Sequence, residues 1–255
     1  MRTITAVRYV TPLREGGSLP AIVEADDGQL YVLKFCGAGQ GPKALIAELV
    51  AGELARALDL PVPEIVFAHL DPALGRSEPD PEIQDLIKAS AGLNLALAYL
   101  PGAFAFDPLL YPLDPELASA IVWFDSYVTN VDRTPRNTNI LVWQGRPWLI
   151  DHGASLYFHH NWNGYQTRSR SRFPQIKEHV LLPFAGDLPA ADAALSSRLN
   201  SALIEKIVGL IPTSWLEDEA NFSDQTDHRA AYAVYLRERV AAPREFIEEA
   251  IRARA

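Results

Sequence analysis

The fold is decided by the stretch Asn130-Val131-Asp132-Arg133-Thr134-Pro135-Arg136-Asn137-Thr138-Asn139, together with Ile150-Asp151-His152-Gly153 further along the chain. Between these two stretches, apolar runs at 140–143 and 148–150 flank the turn Gln144-Gly145-Arg146-Pro147. This pattern predicts a β-hairpin. Because a hairpin returns its two ends to the same place, the polar residues before and after it are expected to be neighbours in space.

Asp132, Asn137 and Asp151 are the polar residues that this hairpin is expected to bring together. Two carboxylates and an amide offer the hard oxygen ligands that suit Mg²⁺. In phosphoryl transfer, one aspartate orients the attacking hydroxyl while an asparagine and a second aspartate hold metal on the nucleotide phosphates. The interval from Asp132 to Asn137 is also that of the kinase catalytic loop. Each residue alone favours a simple turn cap or strand end. Together they favour Asp132 and Asn137 as catalytic residues, with Asn137 and Asp151 as metal ligands.

Composition restricts the class of protein. The 255 residues are 48% hydrophobic and 22% charged, which is ordinary for a globular chain and excludes a disordered or fibrous one. Lys and Arg number 23 against 32 Asp and Glu, and the resulting charge of −9 argues against direct nucleic-acid binding. No apolar run suits a membrane-spanning helix, residues 1–8 lack a signal-peptide core, and Cys36 has no second cysteine to pair with. A cytoplasmic protein without membrane insertion is expected.

The first hundred residues are predicted to be β-rich. Strands are expected at Ile4–Val10, at 21–25 and 29–35 around the turn Asp26-Asp27-Gly28, at Glu64–Leu70 and at 93–100. One helix is predicted, from Lys43 to Leu58, and residues 71–82 are predicted to form an exposed loop.

The remainder is predicted to be mainly helical apart from the hairpin. Helices are expected at 115–131, 191–211 and 227–255. The predicted fold class is therefore α+β: a small β-rich region with one helix at 1–100, and a mainly helical region at 101–255. The boundary between them is expected near Pro101-Gly102.

Lys34 is the second candidate functional residue. It lies on a predicted strand, so it shares a face with Val32. A lysine there can contact nucleotide phosphates while the valine covers an adenine ring. Alone, Lys34 fits better as an edge-strand lysine that discourages aggregation; the downstream loop reverses that preference. Its carboxylate partner is expected on the following helix, where Glu48 and Glu53 lie roughly 140° apart. Only one of the two glutamates can face Lys34, and the periodicity of the helix does not show which one.

Two glycine-rich stretches were candidates for phosphate binding. Residues 37–43 connect a strand to a helix, but Pro42 stands where both a dinucleotide fingerprint and a P-loop need glycine. Gly16, Gly17 and Ser18 precede the first hairpin strand and offer backbone N–H groups and a hydroxyl, so they are predicted to cover phosphates. A plain turn is the alternative.

A basic strip, Arg168-Ser169-Arg170-Ser171-Arg172, interrupts this acidic chain. It fits a solvated loop. It fits equally a substrate-binding or regulatory segment, because it follows Asp151 at the distance expected for a kinase activation loop. The residues leave both interpretations open.

These features resemble the HipA-like kinase family, within the wider protein-kinase-like superfamily. The resemblance covers most of the chain. It rests on Val32-Leu33-Lys34-Phe35, on Ala47-Glu48-Leu49 leading into Leu60-Pro61-Val62-Pro63, on 130–139, and on 150–153. The opening Asp132-Arg133 is also similar to the catalytic loop of phosphoinositide 3- and 4-kinases.

The resemblance implies a two-lobed protein-kinase-like fold with ATP in the cleft and Mg²⁺ on its phosphates. It places the hinge at 97–102, where backbone atoms of Ala98, Tyr99 and Leu100 would meet adenine. It also implies that Glu48 is the partner of Lys34. The chain departs from eukaryotic protein kinases in having no Gly-x-Gly-x-x-Gly loop, no His-Arg-Asp, no Ala-Pro-Glu, and His152 in place of Phe.

The expected function is an ATP- and Mg²⁺-dependent kinase that transfers the γ-phosphate to a hydroxyl, with protein Ser or Thr as the expected acceptor. One alternative is a small-molecule or lipid kinase of the same fold, although an acidic chain is not attracted to anionic membranes. The other alternative is a non-catalytic nucleotide-binding scaffold, which has no physical need for the Lys, Asp, Asn and Asp together.

Overall fold

The computed structural model describes residues 1–13, 19–39, 41–216 and 219–255. The chain is α+β, as predicted, with most strands in its first hundred residues. The strands are β1 (Thr3–Pro12), β2 (Ala21–Ala25), β3 (Leu30–Lys34), β4 (Ile65–Leu70), β5 (Gly92–Ala98), β6 (Phe104–Ala105), β7 (Ile140–Trp143) and β8 (Arg146–Leu149). The α-helices are α1 (Pro42–Ala57), α2 (Pro81–Ala89), α3 (Pro115–Val128), α4 (Tyr165–Arg168), α5 (Leu188–Ser196), α6 (Ser201–Val208), α7 (Gln225–Val240) and α8 (Glu245–Arg254).

The first five strands form a sheet that closes on itself. Their order is β1-β2-β3-β5-β4, and β1 also pairs with β4 in parallel, through Thr3–Thr5. Strand β3 runs between β2 and β5, with Lys34 opposite Leu95. Tyr31 and Leu33 point into the barrel and are fully buried, so the alternate residues of β3 face outward.

A second sheet of three strands contains the predicted hairpin. Strands β7 and β8 pair antiparallel, and β6 pairs with the other edge of β7. The Ile150 N–H donates to the Asn139 carbonyl at 3.0 Å, which closes the base of the hairpin. Trp143 and Trp148 pack edge to face with ring centroids 5.7 Å apart.

Residues 71–82 are not an exposed loop, and the prediction of one helix in the β-rich region was wrong. A 3₁₀ helix covers Pro72–Ser77, and α2 follows it. Asp71 accepts from the Ala73 N–H at 2.8 Å, and Asp80 accepts from the Glu82 N–H at 3.1 Å. Two of the three prolines that suggested a loop, Pro72 and Pro81, occupy the first position of a helix, where a missing N–H costs nothing.

Three other predicted helices differ from the observed ones. Two of them are each divided into two helices, and the third ends earlier than predicted. The predicted helix 191–211 is two helices, α5 and α6, and Asn200 caps the second by accepting from the Leu203 N–H at 2.9 Å. The predicted helix 227–255 divides into α7 and α8 around Pro243, which cannot donate a helical hydrogen bond. Helix α3 ends at Val128 because Thr129 turns to a φ of 55°.

The two apolar cores of the molecule meet at β4 and β5, which contribute residues to both, and α1 belongs to one of them. One core fills the barrel and is covered by Ile83 and Ile87 of α2. The other joins α1 to β5, α3, the β7–β8 hairpin and the C-terminal helices. Because α1 is buried on most sides, the polar residue Glu48 lies in its middle with no exposed surface.

Candidate active site

Lys34 is held between two carboxylates that come from distant parts of the chain. Its Nζ lies 2.7 Å from Glu48 Oε2 and 2.5 Å from Asp151 Oδ1. The Glu48 side chain is fully buried, the Lys34 side chain is 12% exposed, and the Asp151 side chain is 44% exposed. The cluster therefore has a closed end at Glu48 and an open end at Asp151. Glu53, the other candidate, pairs with Arg56 instead.

The charges of this cluster stabilise one another. Burial by itself would raise the pKa of Glu48, but the Lys34 ammonium and the His152 imidazole outweigh it, and the pKa of Glu48 is well below its usual range. Burial by itself would lower the pKa of Lys34, and the carboxylates of Glu48 and Asp151 outweigh it, so the pKa of Lys34 is raised. Lys34 is therefore a cation and Glu48 an anion at neutral pH.

Asp132 is fixed by three asparagines of its own loop. Asn137 Nδ2 donates to Asp132 Oδ2 at 2.8 Å, and Asn139 Nδ2 donates to the same oxygen at 3.3 Å and to the Asp132 carbonyl at 3.2 Å. The Asp132 N–H donates to Asn130 Oδ1 at 3.1 Å. The amide oxygen of Asn137 takes no part in these bonds, so it faces away from Asp132.

A buried ion pair lies behind the loop. Arg133 Nε is 2.5 Å from Asp125 Oδ2, and both side chains have no exposed surface. The Arg133 guanidinium also donates to the carbonyls of Asn139 and Ile150, the two ends of the hairpin. His179 Nε2 lies 2.9 Å from Asp125 Oδ2. These contacts fix the hairpin base, and with it the two residues Asn137 and Asp151, against α3.

Asp151 has an unusual backbone conformation. Its φ is 55°, in the left-handed region that only a minority of non-glycine residues adopt. Such residues occur where surrounding structure over-determines them, and they cluster at functional sites. Here the hairpin on one side and buried His152 on the other hold the turn that presents the Asp151 carboxylate to Lys34.

The predicted site residues surround a cleft of about 1040 Å³. The cleft is large for a small-molecule site, whose usual range is about 300–1,000 Å³. The predicted residues that line it are Val32, Lys34, Ala98, Tyr99, Leu100, Asn137 and Asp151. Glu48 lies behind Lys34, and Asp132 reaches the cleft through its bond to Asn137.

Three residues are predicted to form the hinge, and they differ in whether their backbone N–H group is already used in a hydrogen bond. The Ala98 N–H already donates to the Glu64 carbonyl at 2.9 Å, and the Tyr99 N–H to the Leu30 carbonyl at 3.0 Å. In the described part of the chain, no backbone acceptor is found for the Leu100 N–H. A purine edge that needs a donor would therefore meet Leu100.

Two predicted segments remain, residues 16–18 and the basic strip 168–172. Gly16, Gly17 and Ser18 lie outside the described residues. In the basic strip 168–172, Arg170 pairs with Glu238, and Arg172 pairs with Glu245 at 3.0 Å.

Buried Arg239 holds the middle of that basic strip. Its guanidinium donates to the carbonyls of Ser169 and Ser171 at 2.9 and 3.0 Å. It also donates to the carbonyls of Ser126 and Tyr127 at the end of α3. The strip is thus an anchored segment of the C-terminal region.

The residues at the cleft fit a magnesium-bound nucleotide. Mg²⁺ keeps several waters and is usually held by one or two protein oxygens plus substrate phosphates. Asp151 offers a half-exposed carboxylate and Asn137 an amide oxygen, both on the cleft wall. The described residues hold no group of three or more His, Cys, Asp or Glu side chains suited to a metal.

Sequence reasoning missed three polar residues that support the site. Asn139, Asp125 and Arg133 orient the loop, yet none of them was predicted to have this supporting role. The sequence did offer a signal for Asn139. It is a polar residue that directly precedes the apolar strand of the hairpin and takes no part in that apolar run. Asp125 had none, because it lies in an apolar helix that its partner reaches only in the folded chain.

Comparison with known proteins bears on the fold and the family of the chain. A crystal structure of a Helicobacter pylori proinflammatory kinase, CtkA, is similar, with a TM-score of 0.59 and 15% sequence identity over 99% of this chain and 98% of that chain. The fold is therefore kinase-like. The family model for HipA-like kinases matches residues 6–245. The chain belongs to the HipA-like kinase family. No curated protein matches it.

Within the described ranges, none of the helices combines the length and the apolar character that crossing a bilayer requires.

Proposed function

We propose that the protein is an ATP- and Mg²⁺-dependent kinase that transfers the γ-phosphate of ATP to a hydroxyl. The observation that carries this proposal is the meeting of Lys34, Glu48 and Asp151 at one cleft, beside the bonded Asp132 and Asn137. Those residues come from β3, from α1 and from both sides of the hairpin. An ion pair with a purely structural role would not require the solvent-exposed carboxylate of Asp151 or the second carboxylate, that of Asp132, beside it.

Each residue has a proposed role. Lys34 binds nucleotide phosphates and Glu48 keeps its ammonium in place. Asn137 and Asp151 hold the metal, which when bound supplies charge neutralisation at the phosphates. Asp132 accepts or orients the proton of the attacking hydroxyl. Most of the rate enhancement then comes from positioning and electrostatics.

The adenine ring is proposed to lie at the other end of the cleft. Val32 offers an apolar side chain on the face that Lys34 shares, and Leu100 offers a backbone N–H. We propose further that residues 1–100 and 101–255 act as the two lobes of the kinase. Gly16, Gly17 and Ser18 are proposed to cover the phosphates.

The proposed acceptor is a protein Ser or Thr hydroxyl. The loop beside Asp132 is open, with Pro135, Arg136 and Asn137 all exposed. An open rim admits a side chain that belongs to a large substrate. A small-molecule kinase would be expected to enclose its acceptor, because burial supplies most of the binding free energy of a small ligand.

Intact-mass measurement after incubation with ATP, with MgCl₂ or with EDTA, tests the proposal. We expect a mass increase of one phosphate, or phosphate on an added acceptor protein, only with Mg²⁺. Asp132→Ala is expected to abolish transfer while nucleotide binding survives, whereas Asp151→Ala is expected to weaken both. Binding of Mg-ATP without any turnover would favour the scaffold. Equal transfer by both variants and the wild type would refute the assigned roles.

A further inference from the structure

His152 is a buried polar residue that the mechanism above does not use. It has no exposed surface, and its ring packs edge-on against Phe124 at a centroid distance of 6.2 Å. Among the described residues, neither ring nitrogen has a hydrogen-bond partner. Burying a polar group without a hydrogen bond costs free energy, so a histidine at this position requires a reason.

The Nδ1 atom of His152 faces the one oxygen of Glu48 that Lys34 does not hold. The distance from His152 Nδ1 to Glu48 Oε1 is 3.5 Å, while Lys34 Nζ is 2.7 Å from Oε2. Oε1 has no hydrogen-bond partner in the described part of the chain. The two atoms are longer apart than the 2.7–3.2 Å of an ordinary N–H···O bond. A small rotation of either side chain closes the gap.

Residues 151 and 152 therefore hold both ends of a single ion pair. Asp151 binds the Lys34 ammonium at 2.5 Å, and His152 faces the Glu48 carboxylate. The result is a closed ring of contacts from Lys34 to Glu48, to His152, along the backbone to Asp151, and back to Lys34. Of the four, only Asp151 has substantial exposure.

We propose that His152 is a positioning residue, which donates from Nδ1–H to Glu48 Oε1 when a nucleotide separates Lys34 from Asp151. This inference rests on the proposed function, because phosphates and metal are what would compete for Lys34 and Asp151. Glu48 cannot turn to solvent, so its second hydrogen bond must come from a neighbour. A Glu48 carboxylate held at both oxygens keeps Lys34 directed at the phosphates.

Two substitutions separate hydrogen bonding from packing. His152→Phe keeps an aromatic ring against Phe124 but removes the donor, whereas the amide nitrogen of His152→Asn lies about where Nδ1 does. Calorimetry should show Mg-ATP bound about tenfold more weakly by His152→Phe, the loss of about one hydrogen bond. The kcat at saturating ATP should fall by less than about threefold. His152→Asn should bind within about threefold of wild type.

A double-mutant cycle tests whether His152 acts through Glu48. In a Glu48→Met background, which removes the acceptor, His152→Phe should change Mg-ATP affinity by less than about twofold. A purely structural role predicts the same tenfold loss in both backgrounds. That result would overturn the proposal, as would equal losses for the Phe and Asn variants.

Imidazole ¹⁵N NMR of the wild-type protein gives an independent readout. The proposal expects the His152 proton on Nδ1, with the signal identified by its disappearance in His152→Asn. A proton on Nε2 alone would overturn it, even if His152→Phe failed to fold. Should wild type not bind Mg-ATP, the proposed function fails, and the NMR result still decides the His152–Glu48 contact.

Discussion

Two clusters of charged side chains flank the same hairpin, and they differ in how easily a charged group can exchange its partner for a ligand. The cleft cluster of Lys34, Glu48 and Asp151 ends in a carboxylate that is 44% exposed. The frame cluster of Asp125 and Arg133 has no exposed side-chain surface. A partly exposed contact can be exchanged for a ligand at small cost. A fully buried charge cannot lose its partner without a large penalty. The first cluster is therefore suited to binding and the second to support.

Removing a carboxylate from the cleft side gives the largest expected effect. Asp132→Ala should lower the rate of phosphate transfer by about 10²–10⁴, the usual contribution of a positioned acid or base. Its unfolding free energy should change little, because Asp132 is only partly buried and bonds within its own loop. Asp85→Ala, a change at a side chain that is 77% exposed on α2, is the matched control and should leave the rate unchanged. Comparable losses in both variants would contradict a specific role for Asp132.

Breaking the frame cluster should act on stability first. Arg133→Met leaves Asp125 buried without its cation, and removing one member of a buried pair costs about 3–5 kcal/mol. Urea unfolding followed by circular dichroism measures the change. Retention of wild-type stability in Arg133→Met would show that Asp125 finds another partner and that the frame is not needed.

Replacing Lys34 tests whether the cleft cluster is exchangeable. Lys34→Met should weaken Mg-ATP binding by about tenfold or more, because a charge-assisted hydrogen bond to phosphate contributes about 1.5–3 kcal/mol. Lys43→Met is the matched control, since Lys43 pairs with Glu219 at 2.5 Å and does not line the cleft. Calorimetry decides between them, and an equal loss in Lys43→Met would argue against specificity.

Lowering the pH should reduce the stability of the fold through the buried carboxylate of Asp125 in the frame cluster. Burial alone would raise the pKa of Asp125, but Arg133 and His179 outweigh it and hold that pKa well below its ordinary value of 3.8. The unfolded chain therefore takes up this proton first as pH falls, so the stabilisation is complete above about pH 4 and is lost below it. Unfolding free energies measured between pH 5 and pH 2 should fall less steeply for Asp125→Asn than for wild type. Parallel curves would contradict the assignment.

The smallest effect is expected on the basic strip. Arg170→Met removes an exposed ion pair with Glu238, and such pairs contribute about 0–1 kcal/mol. Set beside Arg133→Met, it compares a fully buried ion pair with one whose two side chains are 59% and 42% exposed. A loss above about 2 kcal/mol in Arg170→Met would mean that the strip is more than a surface contact.

The sequence was most informative where function and local structure coincide. Asp132, Asn137 and Asp151 were predicted together because the hairpin between them is encoded by its own apolar runs and turn. The sequence pattern alone could not decide whether Glu48 or Glu53 faces Lys34. Helix α1 is apolar on most sides, so its periodicity does not show which side is turned toward Lys34. The family resemblance pointed to Glu48, and in the structure Lys34 contacts Glu48 whereas Arg56 contacts Glu53.

The errors had physical causes as well. Residues 71–82 were predicted as loop from their prolines and acidic residues, which are also the residues that start helices. Asp125 and Arg133 were missed because a buried ion pair is visible only when α3 and the loop after it are folded together. Patterns within a segment were readable, whereas pairings between segments were not.

Closure of the five-stranded sheet has a consequence for association between molecules. The parallel contact of Thr3–Thr5 with Phe67–His69 covers the backbone edges that an open sheet would leave available. Neighbouring chains commonly join such edges by adding a strand, which leads to swapping and fibrils. Along this paired stretch the rim strands offer no such template, so contacts made there must depend on side chains.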